Sequence, residues 1–382
     1  MWLLSDPLRL SEEQLIVPAA MAPLLALLDG SRTAEQVHDD FQSLAGQFLP
    51  RQIVDAAIDA LDRACLLDNE QFQALRQQRL DIYHQQAHRP PALAGLSYPE
   101  QPELLRDYLG GFAPDDTGEV NGWRGRGIIS PHIDYPRGGD VYARVWRRAR
   151  AAVQEAELVL IFGTDHNGGE LFTLTKKPYA TPFGVLPTDT DLVQKLAGAV
   201  GPELAYAAEL HHRHEHSIEL SAVWLHSALD GAAPPPMVPI LCGSFQPFVH
   251  NGGHPARDEE IGWFHEVLRR ECGGRKVLAV ASVDFAHVGP VFGDSFPMDA
   301  SCRQALRASD QSLIEATLQG DRARFYREIE AVGDRNRICG FSPIYHLLQF
   351  LGETEGQLVA YQHCPADEND TSLVSIAGML LE

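Results

Sequence analysis

The chain predicts an α/β protein, a layered sheet with flanking helices, preceded by a small N-terminal winged-helix domain. Two observations carry this prediction. From residue 127 onward, apolar runs of four to six residues alternate with amphipathic stretches of helical length, as strands alternate with helices in a layered sheet. Before residue 70 the apolar spacing is helical instead, and the run His88-Arg89-Pro90-Pro91 separates the two regimes. A chain of 382 residues can hold one large domain and a small one.

In the first segment, Met21, Leu24, Leu25 and Leu28 recur at helical spacing, and Asp29-Gly30 ends that helix. Thr33 with Gln36 three residues on fits a capping box, so a second helix is expected to start there. Pro50-Arg51-Gln52-Ile53 opens a third, with Ile53, Ala57, Leu61 and Cys65 on one face. Leu66-Leu67-Asp68 then reads as a short strand. Three helices followed by a β element outline a winged helix over residues 1–70. The polar stretch that follows is helix-compatible and, with the break at residues 88–91, reads as a linker over 71–92. The main domain covers 93–382, with helices expected near 141–152, 191–200, 217–229, 259–270 and 343–351.

The charge balance excludes one class of partner. At −21 overall, the chain lacks the basic surplus that neutralises phosphate, so no nucleic-acid partner is expected. The N-terminal 92 residues are also acidic, with 13 acidic against 7 basic side chains. The first residues show no basic segment followed by an apolar run, and no apolar stretch approaches the roughly 20 residues that span a bilayer. A cytoplasmic protein without membrane contact is the expectation. The six cysteines are scattered and form no CxxC pair, which suits reduced thiols better than a disulfide framework or a structural zinc knuckle.

Six short motifs place polar or metal-competent side chains after apolar runs. They are Pro131-His132-Ile133-Asp134-Tyr135, Gly163-Thr164-Asp165-His166, Glu215-His216-Ser217-Ile218-Glu219, Pro239-Ile240-Leu241-Cys242-Gly243-Ser244, Ser282-Val283-Asp284-Phe285-Ala286-His287-Val288-Gly289 and Ile338-Cys339-Gly340-Phe341-Ser342-Pro343. Open α/β sheets bind ligands outside the carboxyl ends of their strands, so these loops can build one site. Ser342-Pro343 looks like an N-cap with proline in the first turn, which puts Cys339 ahead of a helix N-terminus, where a thiolate is favoured. Glu215-His216-Ser217 opens another helix; its backbone N–H groups suit an anion, or Ser217 serves as an ordinary cap. The run from His211 to His216 otherwise reads as solvated surface. A lone histidine more often bonds a loop carbonyl than a metal, and an Asp284–His287 pair can simply hold a loop.

In order and wording, the six motifs resemble the Memo family, which includes the bacterial protein B of the AmmeMemoRadiSam gene set and shares its fold with the class III extradiol dioxygenases. The resemblance runs from Ala94-Gly95-Leu96-Ser97-Tyr98-Pro99 to Ser372-Leu373-Val374-Ser375-Ile376-Ala377-Gly378, about residues 93–382. It implies a mononuclear metal ion held by His132, His166 and Cys339. It also implies catalytic roles for His287 as the acid–base group, with Asp284 and His216 beside it. The chain departs from the family in two places. Ile133-Asp134 replaces the usual small pair after the first histidine, and Asn167 stands where a second adjacent histidine is usual. Asp134 would either orient the His132 ring or crowd the site. Sulfur in place of the carboxylate of a two-His-one-carboxylate triad softens the site; iron(II) is expected first, and copper and zinc also suit it.

A second resemblance concerns Leu27-Leu28-Asp29-Gly30-Ser31-Arg32-Thr33-Ala34-Glu35-Gln36-Val37 and residues 61–68, which look like PqqD-like domains. It implies a unit that grips a peptide by strand addition; the alternative is a helical appendage. Together the resemblances suggest an oxidoreductase, dioxygenase-like in its site, acting on a peptide or small-molecule substrate. Family analogy adds a radical SAM enzyme as partner. Because the reaction follows from fold kinship alone, two rivals stand beside it: a non-catalytic metal- or peptide-binding protein that reuses the cleft, and a zinc hydrolase.

Overall fold

The computed structural model describes residues 1–45, 50–116 and 122–382. The chain divides into two compact units, Met1–Gln86 and Ala87–Glu382.

The first unit opens with strands β1 (Trp2–Ser5) and β2 (Gln14–Val17), paired antiparallel from Trp2 opposite Val17 to Ser5 opposite Gln14. Between them the buried Asp6 carboxylate accepts the backbone N–H groups of Leu8, Leu10 and Ser11 and fixes the turn. Helices α1 (Ala22–Leu27), α2 (Ala34–Ala45), α3 (Arg51–Arg63) and α4 (Glu70–Gln85) follow. Leu24, Leu27, Val37, Phe41 and Val54 form their core. The capping box is made in both directions: Gln36 N–H donates to Thr33 Oγ1 at 3.3 Å, and Thr33 N–H to Gln36 Oε1 at 2.9 Å.

Three expectations for this unit need correction. The β element precedes the helices rather than following them, and Leu66-Leu67-Asp68 is irregular backbone, so the expected wing is absent there. Cys65 stops α3 in a left-handed conformation (φ 53°), and Asn69 already caps α4 by accepting from Phe72 N–H, which leaves no room for a strand. The inner face of α3 is set by Val54 and Leu61, while Ile53 is exposed. Finally, residues 71–92 are not a linker. Residues up to Gln85 continue α4 within the first unit, and those from Ala87 belong to the second. Of the α4 side chains only Tyr83 is buried, so the helix shows little apolar periodicity in its sequence.

The second unit runs through α5 (Pro102–Gly110), β3 (Gly127–Ser130), α6 (Tyr135–Glu155), β4 (Leu158–Thr164), β5 (Phe172–Leu174), β6 (Tyr179–Thr181) and β7 (Gly184–Leu186). Next come α7 (Thr190–Val200), α8 (Pro202–Ala207), α9 (His216–Leu229), β8 (Met237–Cys242), α10 (Gln246–Asn251), α11 (Glu259–Cys272), β9 (Val277–Ser282) and β10 (His287–Val288). It closes with α12 (Ala300–Leu318), α13 (Arg322–Glu330), α14 (Phe341–Leu351), β11 (Gly356–Pro365) and β12 (Leu373–Leu381). The main sheet has the order β10-β12-β3-β9-β4-β8-β5, with β11 on the other side of β12. Its centre, β3-β9-β4-β8, is parallel; β12 and β5 run antiparallel at the flanks.

Central parallel strands are covered on both faces, which explains their continuous apolar runs. Along β4, Val159 and Ile161 join a core with α6 and α9, while Leu158, Leu160 and Phe162 join one with α7, α11 and α14. No helix among the described residues is long and apolar enough to cross a membrane.

Arg89, in the segment read as linker, is fully buried in the second unit. Its guanidinium donates to His212 O at 2.8 Å, to Glu215 O at 2.9 Å and to the buried Glu219 carboxylate. Glu219 also accepts from the backbone of Ala92 and Leu93 and from the Tyr98 hydroxyl. These bonds tie the start of the unit to α9. A fragment 87–382 is therefore expected to unfold cooperatively, while 93–382, lacking Arg89, should be less stable by about 3–5 kcal/mol because Glu219 is left buried without its cation. Denaturant titration of the two fragments checks this; equal midpoints would show that the segment contributes nothing.

Candidate metal centre

The central strands end nearly level. Ser130 lies opposite Ser282, and Ser282 opposite Gly163, so the loops after β3, β9 and β4 emerge side by side. His132 and Asp284 follow their strands by two residues, as does His166 after Thr164. The start of α9 closes over them. At Gly163 an added Cβ would sit 2.6 Å from Ile218 Cγ1 and 2.7 Å from Ser217 Oγ, so only glycine lets the helix approach this closely.

This approach adds His216 to the pair from the strands. The ring centroids of His132, His166 and His216 lie 4.6–5.1 Å apart. One ligand atom from each lies within 4.8 Å of the others, a cluster that could hold a metal ion. The hydrogen bonds settle which nitrogens are free. His132 Nδ1–H donates to Ser282 O at 2.9 Å, and a carbonyl can only accept. His166 Nδ1 and His216 Nδ1 both contact Glu215 Oε1, at 3.0 and 3.1 Å. Each Nδ1 therefore carries a proton, and Nε2 is the nitrogen left on each ring to bind a ligand.

Glu215 is the pivot of this arrangement. Its carboxylate is buried and also accepts His166 N–H and Ser217 N–H, each at 3.0 Å. Burial pushes its pKa upward, but hydrogen bonds from His166 and His216, with their charge, hold it well below the usual glutamate value. The converse holds for His166. Burial opposes its charge, yet Glu215 outweighs burial and raises its pKa above 6.5. His132 is pushed well below 6.5, first by burial and then by the other two histidines.

Cys339 reaches the same place from the segment ahead of α14. Its Sγ lies 3.3 Å from His132 Nε2 and 3.2 Å from Asp284 O. Bonds of roughly 2.1 Å to nitrogen and 2.3 Å to sulfur put two donors on one ion about 3–4 Å apart, and the His132–Cys339 separation falls in that range. The expected thiolate stabilisation is not seen. Burial, then the Asp284 charge, pushes the thiol well above its usual pKa. The helix also begins at Phe341 with Gly340 as N-cap, so Ser342 lies inside the first turn instead of capping it.

Asp284 Oδ1 accepts His132 N–H at 2.9 Å and Ile133 N–H at 3.1 Å, and Oδ2 lies 3.8 Å from His132 Nε2. Burial raises its pKa, against the pull of His287. His287, on β10, contacts Arg337 O through Nδ1 at 3.2 Å, and burial lowers its pKa, so the ring is neutral at pH 7. The structure thus brings His132, His166, Cys339, Asp284 and His216 together. His287 stands slightly apart, close enough for Asp284 and His166 to influence its charge.

Several neighbouring residues differ from their sequence reading. Asp134 caps α6 and pairs with Arg137, and Asp284 contacts the His132 segment in its place. The α9 N-terminus is not open to an anion, because Glu215 fills it with its own carboxylate. His211 and His212 are not solvated surface: His211 bonds Asp165 at 2.8 Å, and His212 lies between Tyr179 OH and Thr173 O. Glu215 and Arg89 were missed altogether. A glutamate between two histidines at a helix start was the one local signal for Glu215; Arg89 had none.

Two outcomes follow from this geometry. Glu215→Gln should weaken metal binding by roughly 10–100-fold, the usual cost of losing an outer partner of metal-bound histidines; titration calorimetry with Zn²⁺ measures it, and unchanged affinity would remove Glu215 from the site. Because the His166 pKa is raised, a proton competes for that ring at a higher pH than usual, so loading should weaken as pH falls through the upper histidine range. In Glu215→Gln that midpoint should move to lower pH, and an unmoved midpoint would contradict the coupling.

Comparison with known proteins places the chain. The profile of the family described as Memo-like protein matches residues 89–380. A MEMO1 family protein of Aquifex aeolicus is 28% identical over 98% of this chain and 94% of its own. One from Thermus thermophilus is 29% identical over 87% of this chain and 94% of its own. One from Methanosarcina barkeri is 28% identical over 77% of this chain and 100% of its own. With most of the second unit inside the family profile and the motif histidines gathered at its strand ends, the chain belongs to the Memo-like family.

Proposed function

We propose that the second unit is a mononuclear metal protein acting as a metal-dependent oxidoreductase, with a dioxygenase-like site. One observation carries this reading. Three imidazoles have their Nδ1 protons committed to Ser282 O and Glu215, so Nε2 is the free nitrogen on each ring of one cluster. His132 and His166 act as ligands, His216 joins them, and Cys339 supplies sulfur beside His132. Nitrogen with sulfur suits iron(II) or copper, and zinc accepts the same donors. A bound redox ion would supply electron exchange with a small molecule at its open positions.

The protein's own groups do the rest. Asp284 fixes the His132 backbone, and its charge beside Cys339 resists a second anion until an ion is present. His287, neutral and near the cluster, moves the proton. In this reading the first unit presents a peptide by strand addition to its hairpin edge, and a radical SAM enzyme is the partner, as family kinship suggests.

Metal analysis after anaerobic purification, coupled to oxygen uptake, tests the proposal. His132→Ala, His166→Ala, His216→Ala and Cys339→Ala should each lose most of the metal while keeping the circular dichroism of the parent. Full metal content in all four would overturn the ligand assignment. His287→Ala should keep the metal and lose oxygen-dependent turnover by roughly 10²–10⁴-fold. A metal-loaded parent that consumes no oxygen yet binds peptide would favour the non-catalytic reading.

A further inference from the structure

We propose that a cleft between α5, α6 and the C-terminal end of α9 binds a small planar aromatic anion, such as a nucleoside monophosphate or an aromatic carboxylate. The cleft has a volume of about 670 Å³, within the range of small-molecule sites. It is separate from the metal cluster. His216 and His226 stand at opposite ends of α9, and ten residues of helix span roughly 15 Å.

Its charge runs against that of the chain. Arg106, Arg147 and Arg150 line it, with Asp230 the one lining carboxylate, in a protein of net charge −21. Asp230 pairs with Arg150. Arg147 is fixed by the carbonyls of Phe112 at 2.8 Å and Ala113 at 2.9 Å, which hold its position without neutralising it. Among the described residues neither Arg147 nor Arg106 has a carboxylate partner. Two uncompensated guanidinium groups on one cleft attract an anion, and their planar forks suit phosphate or carboxylate.

The walls select a flat body. Arg106 stands over the Phe183 ring at 5.8 Å, and Phe183 meets His226 edge-on at 6.0 Å. Trp224 also lines the cleft, 4% exposed and stacked on Tyr142 at an interplanar angle of 10°. Trp224 therefore supplies a rigid aromatic wall to the cleft. An aromatic ring packed against Phe183 and Trp224 beside Arg106, with its anionic group toward Arg147, meets these demands together.

Titration of the full-length protein with AMP, benzoate and inorganic phosphate, followed by tryptophan fluorescence and calorimetry, tests this. The expected result is saturable binding of AMP or benzoate below roughly 1 mM, with phosphate at least tenfold weaker. AMP alone would point to a nucleotide, and benzoate alone to an aromatic acid. Arg106→Glu, at an exposed position, should weaken binding at least tenfold and leave metal content unchanged, as should Phe183→Ala. No saturable binding by any of the three probes overturns the proposal. So does phosphate that binds as tightly as AMP and benzoate, or affinity that is unchanged in Arg106→Glu.

Discussion

The carboxylate of Glu215 is the interaction on which the centre depends. It accepts from two imidazoles that arrive from different elements, His166 from the loop after β4 and His216 from the first turn of α9. One acceptor sets both tautomers, so two rings present Nε2 to the same space. A buried anion is costly unless it is fully bonded, and Glu215 is satisfied by two ring N–H groups and two backbone N–H groups. Its position is fixed in turn by Arg89, which bonds the Glu215 carbonyl.

Arg89 and Glu219 place opposite charges in the interior, where removing either strands the other. The pair joins the first residues of the second unit to the helix that carries His216. The family profile begins at this arginine, residue 89, so the segment that anchors the site lies inside the matched region. The start of the unit is therefore part of the site's support, although it is distant from it in sequence.

The electrostatics of the histidine cluster are mutually opposed. Burial and then its two histidine neighbours oppose a charge on His132, while Glu215 favours a proton on His166. Cys339 is kept in its neutral form by burial and by Asp284. A divalent cation at this cluster would relieve these conflicts, since it would replace protons with a charge that all the donors accept.

Much of the fold was legible in the sequence. Parallel strands buried on both faces must be continuous apolar runs, and the amphipathic stretches between them became α6, α7, α9, α11 and α14. Because ligands gather at the carboxyl ends of such strands, His132, His166 and Asp284 could be placed in one region from their positions, while Cys339, which follows no strand, was placed there by the family resemblance. Short-range chemistry was legible as well: Thr33 and Gln36 form the capping box that their spacing implied. Helix α4 was not, because a solvated helix carries no apolar stripe. The placement of His216 among the other two histidines, the bonds from Glu215 and the burial of Arg89 were decided by tertiary structure. Each depends on how α9 packs, against Gly163 on one side and Arg89 on the other, and a distance between elements far apart in the chain leaves no trace in local residue patterns. The same holds for the Cys339 thiol: its local position ahead of a helix favours a thiolate, and only the packed surroundings showed that burial and Asp284 outweigh that preference.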